Sequence, residues 1–305
     1  MRLAVTGATG TVGSAFVKLA REAGHELLLL TRNAPKDLPD KCSWKSFDLT
    51  ATMGGLAEDL AGTDCAVHLA ARIDTNPVDD ASANLLWTSN VLGTGKLIDA
   101  LAKAGVGRFV MASSANIYDP SVACANENTA IKPQTRTLYL SSKAAQEAYA
   151  RECCHKAKIE CAILRISSVI GTGSDLASRF LEMVTNKETI TLANPEYGAD
   201  FVALQDVARG VLLAVEEKLS GEFNLSSGER QTLEDIVDTV AAVTGTAVQV
   251  NESGPHGALD RGFPAIDCAK LAEHGYEPSS LGQTIEQLWS EHRRFQNTQH
   301  ARVSQ

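Results

Sequence analysis

The sequence predicts an α/β fold, a doubly wound parallel sheet with a smaller C-terminal lobe, on three observations. Apolar runs of strand length alternate with longer helical stretches, glycines punctuate the joints between them, and after residue 166 the alternation loosens. Strand, helix, strand order makes neighbouring strands parallel, and helices must then cover both faces of the sheet. The chain has 305 residues, 44% of them hydrophobic, enough for one large or two modest domains.

In order, the elements read as a strand at 3–5, a helix at 14–23, strands at 26–30 and 65–69, a helix at 85–104 and a strand at 108–111. Gly24 and Gly105 stand where a helix must stop, directly before a strand, as C-terminal caps do. A helix at 141–156 and a strand at 160–166 follow. The second lobe draws on 171–191 and on the stretch from 231 onward, while 204–217 and 222–225 return to the main sheet. The expected division is a dinucleotide unit at 1–168, completed by about 199–226, a small lobe at 169–198 and 227–295, and a frayed polar tail at 296–305.

Composition excludes several classes. Net charge is −9 with no Lys/Arg run, so the positive footprint of a nucleic-acid or anionic-membrane binder is missing. Seven cysteines without CxxC or Cys/His metal spacing point to reduced thiols and no metal. Apolar runs such as 27–30 are far too short to span a membrane, and a strand beginning at Arg2 leaves no room for a signal peptide. A cytoplasmic enzyme with a small-molecule substrate is the expectation.

The most informative segment is MRLAVTGATGTVGS, a strand running straight into Gly7, Gly10 and Gly13. A chain that turns sharply at Gly7, lets a pyrophosphate approach near Gly10 and packs a helix closely at Gly13 binds a dinucleotide. Thr9, Thr11 and Val12 lie between these glycines, and the free amides at the helix start hold the anion. Tyr139 and Lys143 are four apart, one helical turn, on one face. A phenol near its ordinary value of about 10 needs a cation beside it to exchange protons at neutral pH, and Lys143 is placed to supply one. The strand at 108–111 runs out into Ala112, Ser113 and Ser114, putting hydroxyls at the sheet edge where ligands bind in open α/β folds.

With these residues the chain resembles the extended short-chain dehydrogenase/reductases, the Rossmann-type NAD(P)-dependent sugar epimerases, dehydratases and related ketone reductases. The resemblance rests on TGATGTVG, FDLT with Asp48, HLAA from His68, NVLGT with Asn90, SSANIY, Tyr139 with Lys143, LRISSVIG with Arg165, DFVALQDVA, FNLSSGE and DCAKL, in that order along the chain. It implies that Ser114, twenty-five positions before Tyr139, holds the substrate oxygen, with Ser113 only its neighbour. Tyr139 would exchange a proton with that oxygen, and Lys143 would hold the nicotinamide ribose and tune Tyr139. It further implies that Asp48 and Leu49 contact adenine, that Leu69, Ala70, Ala71 and Ile166 line the cofactor, and that Asn90 supports the same site. His68 is read as structural, and Glu127 and Asn128 as loop residues.

Family members that use NAD usually carry an acid where this chain has Thr31, at the end of the second strand. Thr31 with Arg32 offers a hydroxyl and a cation to a 2'-phosphate, so NADP(H) is favoured over NAD(H). The Asp-Glu pair of sugar dehydratases is replaced by Ala115 and Asn116, the diphosphate-binding Arg of nucleotide-sugar epimerases by Ala199, and a common Asn by Ser168. Arg72, Arg261 and Arg179 are candidate replacement cations, and Ser114, Arg72, Ser168 and Arg261 the candidate substrate contacts. The leading expectation is therefore an NADP(H)-dependent oxidoreductase acting on a secondary alcohol or carbonyl of a sugar-like or small substrate. A nucleotide-sugar epimerase with bound NAD and a non-catalytic NADP(H)-binding regulator stand as alternatives. The resemblance also implies a homodimer through 85–101 and 144–150.

Overall fold

The computed structural model describes residues 1–51, 54–74, 79–133, 137–171, 173, 175–252 and 261–303, with side chains to 294. Seven strands form the main sheet: β1 (Arg2–Thr6), β2 (Glu26–Thr31), β3 (Cys42–Ser46), β4 (Cys65–His68), β5 (Arg108–Ser114), β6 (Glu160–Ile166) and β7 (Gly221–Leu225). Their order is β7-β6-β5-β4-β1-β2-β3, and every neighbouring pair is parallel.

Successive strand side chains point to opposite faces, which explains the unbroken Leu27 to Leu30 run of a sheet covered on both sides. Leu27 and Leu29 join Leu3, Val5, Phe16 and Val211 on one face. On the other, Leu28 and Leu30 meet Leu97, Leu101, Ala150 and Met111. The helices Thr11–Glu22 and Leu204–Glu216 cover the first face; Gly93–Lys103 and Leu138–Ala157 cover the second. A third core, with Phe180, Leu181, Val184, Ile236, Val240 and Ile285, joins the helices Leu176–Thr185, Leu233–Thr244 and Leu281–Val303. All three of these helices start on side-chain caps, Asp175 accepting from the Ser178 N–H, Thr232 from the Asp235 N–H and Ser280 from the Gln283 N–H.

Four boundaries differ from the sequence reading. The strand β3, CSWKS, was not anticipated: it is a polar edge strand with no buried residue, so hydrophobic periodicity carries no trace of it. Segment 199–203 lies outside the main sheet, in the strand Gly198–Ala203, which pairs with Ser168–Ile170 and Arg230–Thr232 in a separate three-stranded sheet. The tail expected to fray from 296 is helical through Val303, because nothing after Gly282 stops a helix and polarity alone does not; residues 304–305 lie outside the described part. The helix read as 85–104 starts at Asp80 and passes through a π-helical turn, Trp87–Leu92, which contains Asn90.

Gly13 is where the first helix touches the glycine turn: a Cβ there would sit 2.0 Å from the Gly7 carbonyl oxygen. Gly13→Ala is therefore expected to push helix and turn apart, costing about 1–3 kcal/mol of stability and weakening binding of the expected dinucleotide, as urea unfolding and a fluorescence titration with NADH and NADPH would register. Unchanged values in both would mean the close approach is not required.

Candidate active site

The carboxyl ends of β1, β4, β5 and β6 deliver the predicted residues to one edge of the sheet. At β1 the chain turns through Gly7, whose φ of 71° is left-handed and whose missing side chain leaves room for the Ala70 backbone. The Gly10 N–H closes the turn on the Gly7 carbonyl at 2.9 Å. The helix that follows has no side-chain cap and no acid in its first turn, so its leading N–H groups lack an internal anion. Thr9, Gly10 and Thr11 are exposed there, with Val12 half-buried. This cradle suits a pyrophosphate.

Behind it, Thr6 begins a buried polar chain. The Ala70 N–H donates to Thr6 Oγ1 at 3.2 Å, and Thr6 Oγ1 lies 2.7 Å from His68 Nδ1. His68 Nε2 lies 2.9 Å from Thr94 Oγ1, which donates to the Asn90 carbonyl at 2.7 Å. Gln146 Nε2 donates to the same Thr94 oxygen at 2.8 Å, and Gln146 Oε1 accepts from Lys143 Nζ at 2.6 Å. Lys143 also donates to the Ala112 carbonyl at 2.7 Å, two residues before Ser114. Burial and the nearby Lys143 ammonium push the His68 imidazole down to about 3, leaving it neutral.

Lys143 itself, 2% exposed, is pushed down to about 8 by burial, against the opposing pull of Glu147. Burial lifts the Tyr139 phenol to about 12. The expected lowering of Tyr139 by Lys143 is thus absent from this arrangement, because the ammonium is turned to Ala112 and Gln146. Ser114 caps the 3-10 turn Ala115–Ile117, its Oγ accepting from the Asn116 N–H at 3.3 Å. The Asn116 side chain reaches Ser168 Oγ at 3.3 Å, which sets Ser168 beside the Ser114 turn.

Asn90, expected to support the cofactor site, is fully buried, and both protons of its amide are used. Its Nδ2 donates to the Arg72 carbonyl and to Ser142 Oγ, both at 3.0 Å, while its Oδ1 accepts from the Arg72 N–H at 2.8 Å. Ser142 in turn donates to the Tyr139 carbonyl at 2.7 Å. Asn90 therefore clamps the segment after Ala71 to the first turn of the Tyr139 helix, and is a positioning residue with no donor left for a ligand.

Thr31 is also corrected. It is 5% exposed; its hydroxyl donates to the Asn33 carbonyl at 2.7 Å and accepts from the Trp44 indole N–H at 2.8 Å. The unanticipated strand β3 carries that indole, so the hydroxyl is not free to meet a 2'-phosphate. Arg32 is exposed. Asp48 folds an Asx turn on Thr50, whose N–H and hydroxyl hold its carboxyl below the usual range. Leu49 packs against Gly93, where a Cβ would meet the Leu49 carbonyl at 2.7 Å. Leu69 and Ala71 are half-buried beside Ala70, and Ile166 is buried at the end of β6.

Of the candidate cations, Arg72 leans toward Asp74 at 3.5 Å, and Arg179 and Arg261 are exposed. Sequence reasoning passed over Arg230, whose guanidinium donates to the carbonyls of Glu196, Arg261 and Phe263 and so builds the small sheet. It also assigned no partner to Arg165, which is 3% exposed and forks onto Glu147 at 2.8 to 3.2 Å while donating to the Tyr118 hydroxyl at 2.9 Å. Glu127, read as a loop residue, accepts the Asn224 N–H at 2.8 Å on β7. Asp200 is buried, which lifts its carboxyl above the ordinary value, and collects donors from Ser167, Ser227, Gly228 and Ile266. Among the described residues, no group of His, Cys, Asp and Glu could hold a metal, and no helix is long and apolar enough to cross a membrane.

Comparison with known proteins identifies the family. The model of the NAD dependent epimerase/dehydratase family matches residues 3–226. A dTDP-L-rhamnose 4-epimerase of Burkholderia thailandensis is 26% identical over 94% of this chain and 93% of its own. A dTDP-4-dehydro-6-deoxy-D-allose reductase of a Streptomyces species is 26% identical over 93% of each chain. The solved Thermus thermophilus UDP-glucose 4-epimerase in complex with NAD superposes with a TM-score of 0.78 at 26% identity, over 94% of this chain and 99% of that one.

Proposed function

We propose a function from the premise that the chain belongs to the NAD-dependent epimerase/dehydratase family, as the match over residues 3–226 establishes. It is an enzyme of the extended short-chain dehydrogenase/reductase type. The reading we favour is a nucleotide-sugar epimerase that holds NAD, oxidises one ring hydroxyl and returns the hydride to the opposite face. This reverses the order in which the sequence ranked the alternatives. The observation that carries the reversal is the engaged Thr31 hydroxyl, which removes half of the imagined 2'-phosphate site. The likeness to an NAD-bound UDP-glucose 4-epimerase over nearly the whole chain supports it.

Gly7, Gly10, Thr11, Val12 and Gly13 would hold the pyrophosphate, with Asp48 and Leu49 at the adenine and Leu69 to Ala71 along the middle. When bound, the nicotinamide supplies the hydride acceptor and donor. Ser114 would hold the reacting oxygen by hydrogen bond. Tyr139 would take the proton of that hydroxyl as the hydride leaves and give it back when the hydride returns; burial lifts its phenol to about 12, so the phenolate that starts the cycle would need the Lys143 charge nearby. The dinucleotide unit would comprise 1–168 completed by 204–226, with Ser168 at its border and Arg261 of the small lobe reaching the substrate. The exposed Leu85, Trp87, Leu92 and Tyr149 on the 85–101 and 144–150 faces support a homodimer there, and seven free thiols support a cytoplasmic setting.

A second reading, net reduction with NADP(H), draws on Arg32 and on Ala199, a buried residue in place of a diphosphate-binding Arg. Mass spectrometry of the nucleotide released from denatured, freshly purified protein separates the two. NAD near one per chain is expected; NADP(H), or an empty site that prefers NADPH to NADH, would overturn the epimerase reading.

A further inference from the structure

We infer that Gln146 is a positioning residue for Lys143, fixing where its ammonium sits and how firmly it keeps its proton when the dinucleotide binds. The inference rests on the proposed role of Lys143 and concerns a residue to which the family motif gives no part.

The hydrogen-bond directions leave Gln146 a single orientation. Thr94 has one hydroxyl proton, given to the Asn90 carbonyl, so its oxygen must accept from its other neighbours. His68 Nε2 is then the protonated nitrogen of a neutral ring, and Nδ1 accepts from Thr6, which is free to donate because it accepts from the Ala70 N–H. Gln146 must likewise present its NH2 to Thr94, turning Oε1 toward Lys143. Thr6, His68, Thr94, Lys143 and Gln146 are all 2% exposed or less, so water cannot replace a missing acceptor. With Ala112 and Gln146 taking two ammonium protons, one remains for a ligand. The same chain ends on the Ala70 amide, beside Gly7, and so ties the ammonium to the cofactor cradle.

The titratable groups around Lys143 are Tyr139 and Glu147, one turn to either side, and His68 on β4. Glu147 is held by Arg165, while burial lifts the Tyr139 phenol to about 12 and pushes the His68 imidazole down to about 3. Burial thus moves these two out of the pH 6 to 10 range and brings Lys143 into it, at about 8.

The test is NADH affinity, followed by its fluorescence from pH 6 to pH 10, in the wild type and in Gln146→Leu, Gln146→Glu and Lys143→Met. Wild-type affinity should fall as pH rises through the Lys143 titration, and Lys143→Met should flatten the curve. Gln146→Leu removes an acceptor and should move the fall down by about one pH unit, a tenfold change in the proton equilibrium. Gln146→Glu keeps an oxygen there, adds a negative charge and should move it up, which preserves the test if the leucine variant does not fold. A flat Lys143→Met curve with both Gln146 variants like wild type overturns the inference and leaves the Lys143 reading standing. Wild-type and Lys143→Met curves that coincide overturn both.

Discussion

Tyr139→Phe is expected to lower turnover in the proposed epimerase reaction by about a hundred- to ten-thousandfold, the usual worth of a positioned general acid-base group. NADH affinity should stay within about twofold of wild type, because phenylalanine keeps the ring and removes only the hydroxyl. The size of the loss follows from where the phenol sits. Burial lifts it to about 12, so the phenolate that takes the substrate proton depends on the Lys143 charge, and phenylalanine can neither take nor return that proton. Ser114 has a hydroxyl, but its oxygen already caps the next turn by accepting the Asn116 N–H. Turnover that survives the substitution would remove Tyr139 from the chemistry and revive the regulator reading.

Arg165→Met should cost about 3–5 kcal/mol of stability in urea unfolding, the largest effect expected outside the reacting groups. Glu147 is fully buried and its carboxylate takes three contacts from this one guanidinium. Removing Arg165 leaves the buried carboxylate only the half-exposed Arg151, at 3.9 Å, whereas removing both partners strands no charge. The double variant Glu147→Leu with Arg165→Met should therefore recover part of the loss, and a single-variant cost below about 1 kcal/mol would mean the pair is no more than a surface bridge in effect. The phenol of Tyr118 would lose its donor at the same time and keep its own bond to Asn224 at 2.7 Å.

These two sites differ in how far they could be read in advance. Ser114, Tyr139 and Lys143 are legible because helical spacing and the end of an apolar strand leave a local signature, and so is the glycine turn. The main strands were legible because both faces are buried and the runs are therefore apolar. What escaped was pairing across the chain. Nothing in CSWKS says that Trp44 will reach Thr31, and that one indole changes the reading of the cofactor. Arg165 was seen as part of a motif without its partner, since Glu147 is eighteen residues away on another element. The π-helical turn likewise leaves no mark in the hydrophobic pattern, although it bears the Asn90 amide that grips Arg72 and Ser142.

The pairing of β7 beside β6 sets a timetable for the newborn chain. Ribosomes deliver residues in order, at roughly 5–20 per second, and β6 is complete at Ile166 while its neighbour begins only at Gly221. Throughout that interval the apolar run from Ala162 to Leu164 lies along an unguarded margin of the growing sheet. The whole of the Leu176–Thr185 helix and the Gly198–Ala203 strand must emerge before the margin closes. A chain cut between 166 and 221 would keep the glycine turn, Ser114, Tyr139 and Lys143, yet it should be recovered as aggregate, sticky along that one side.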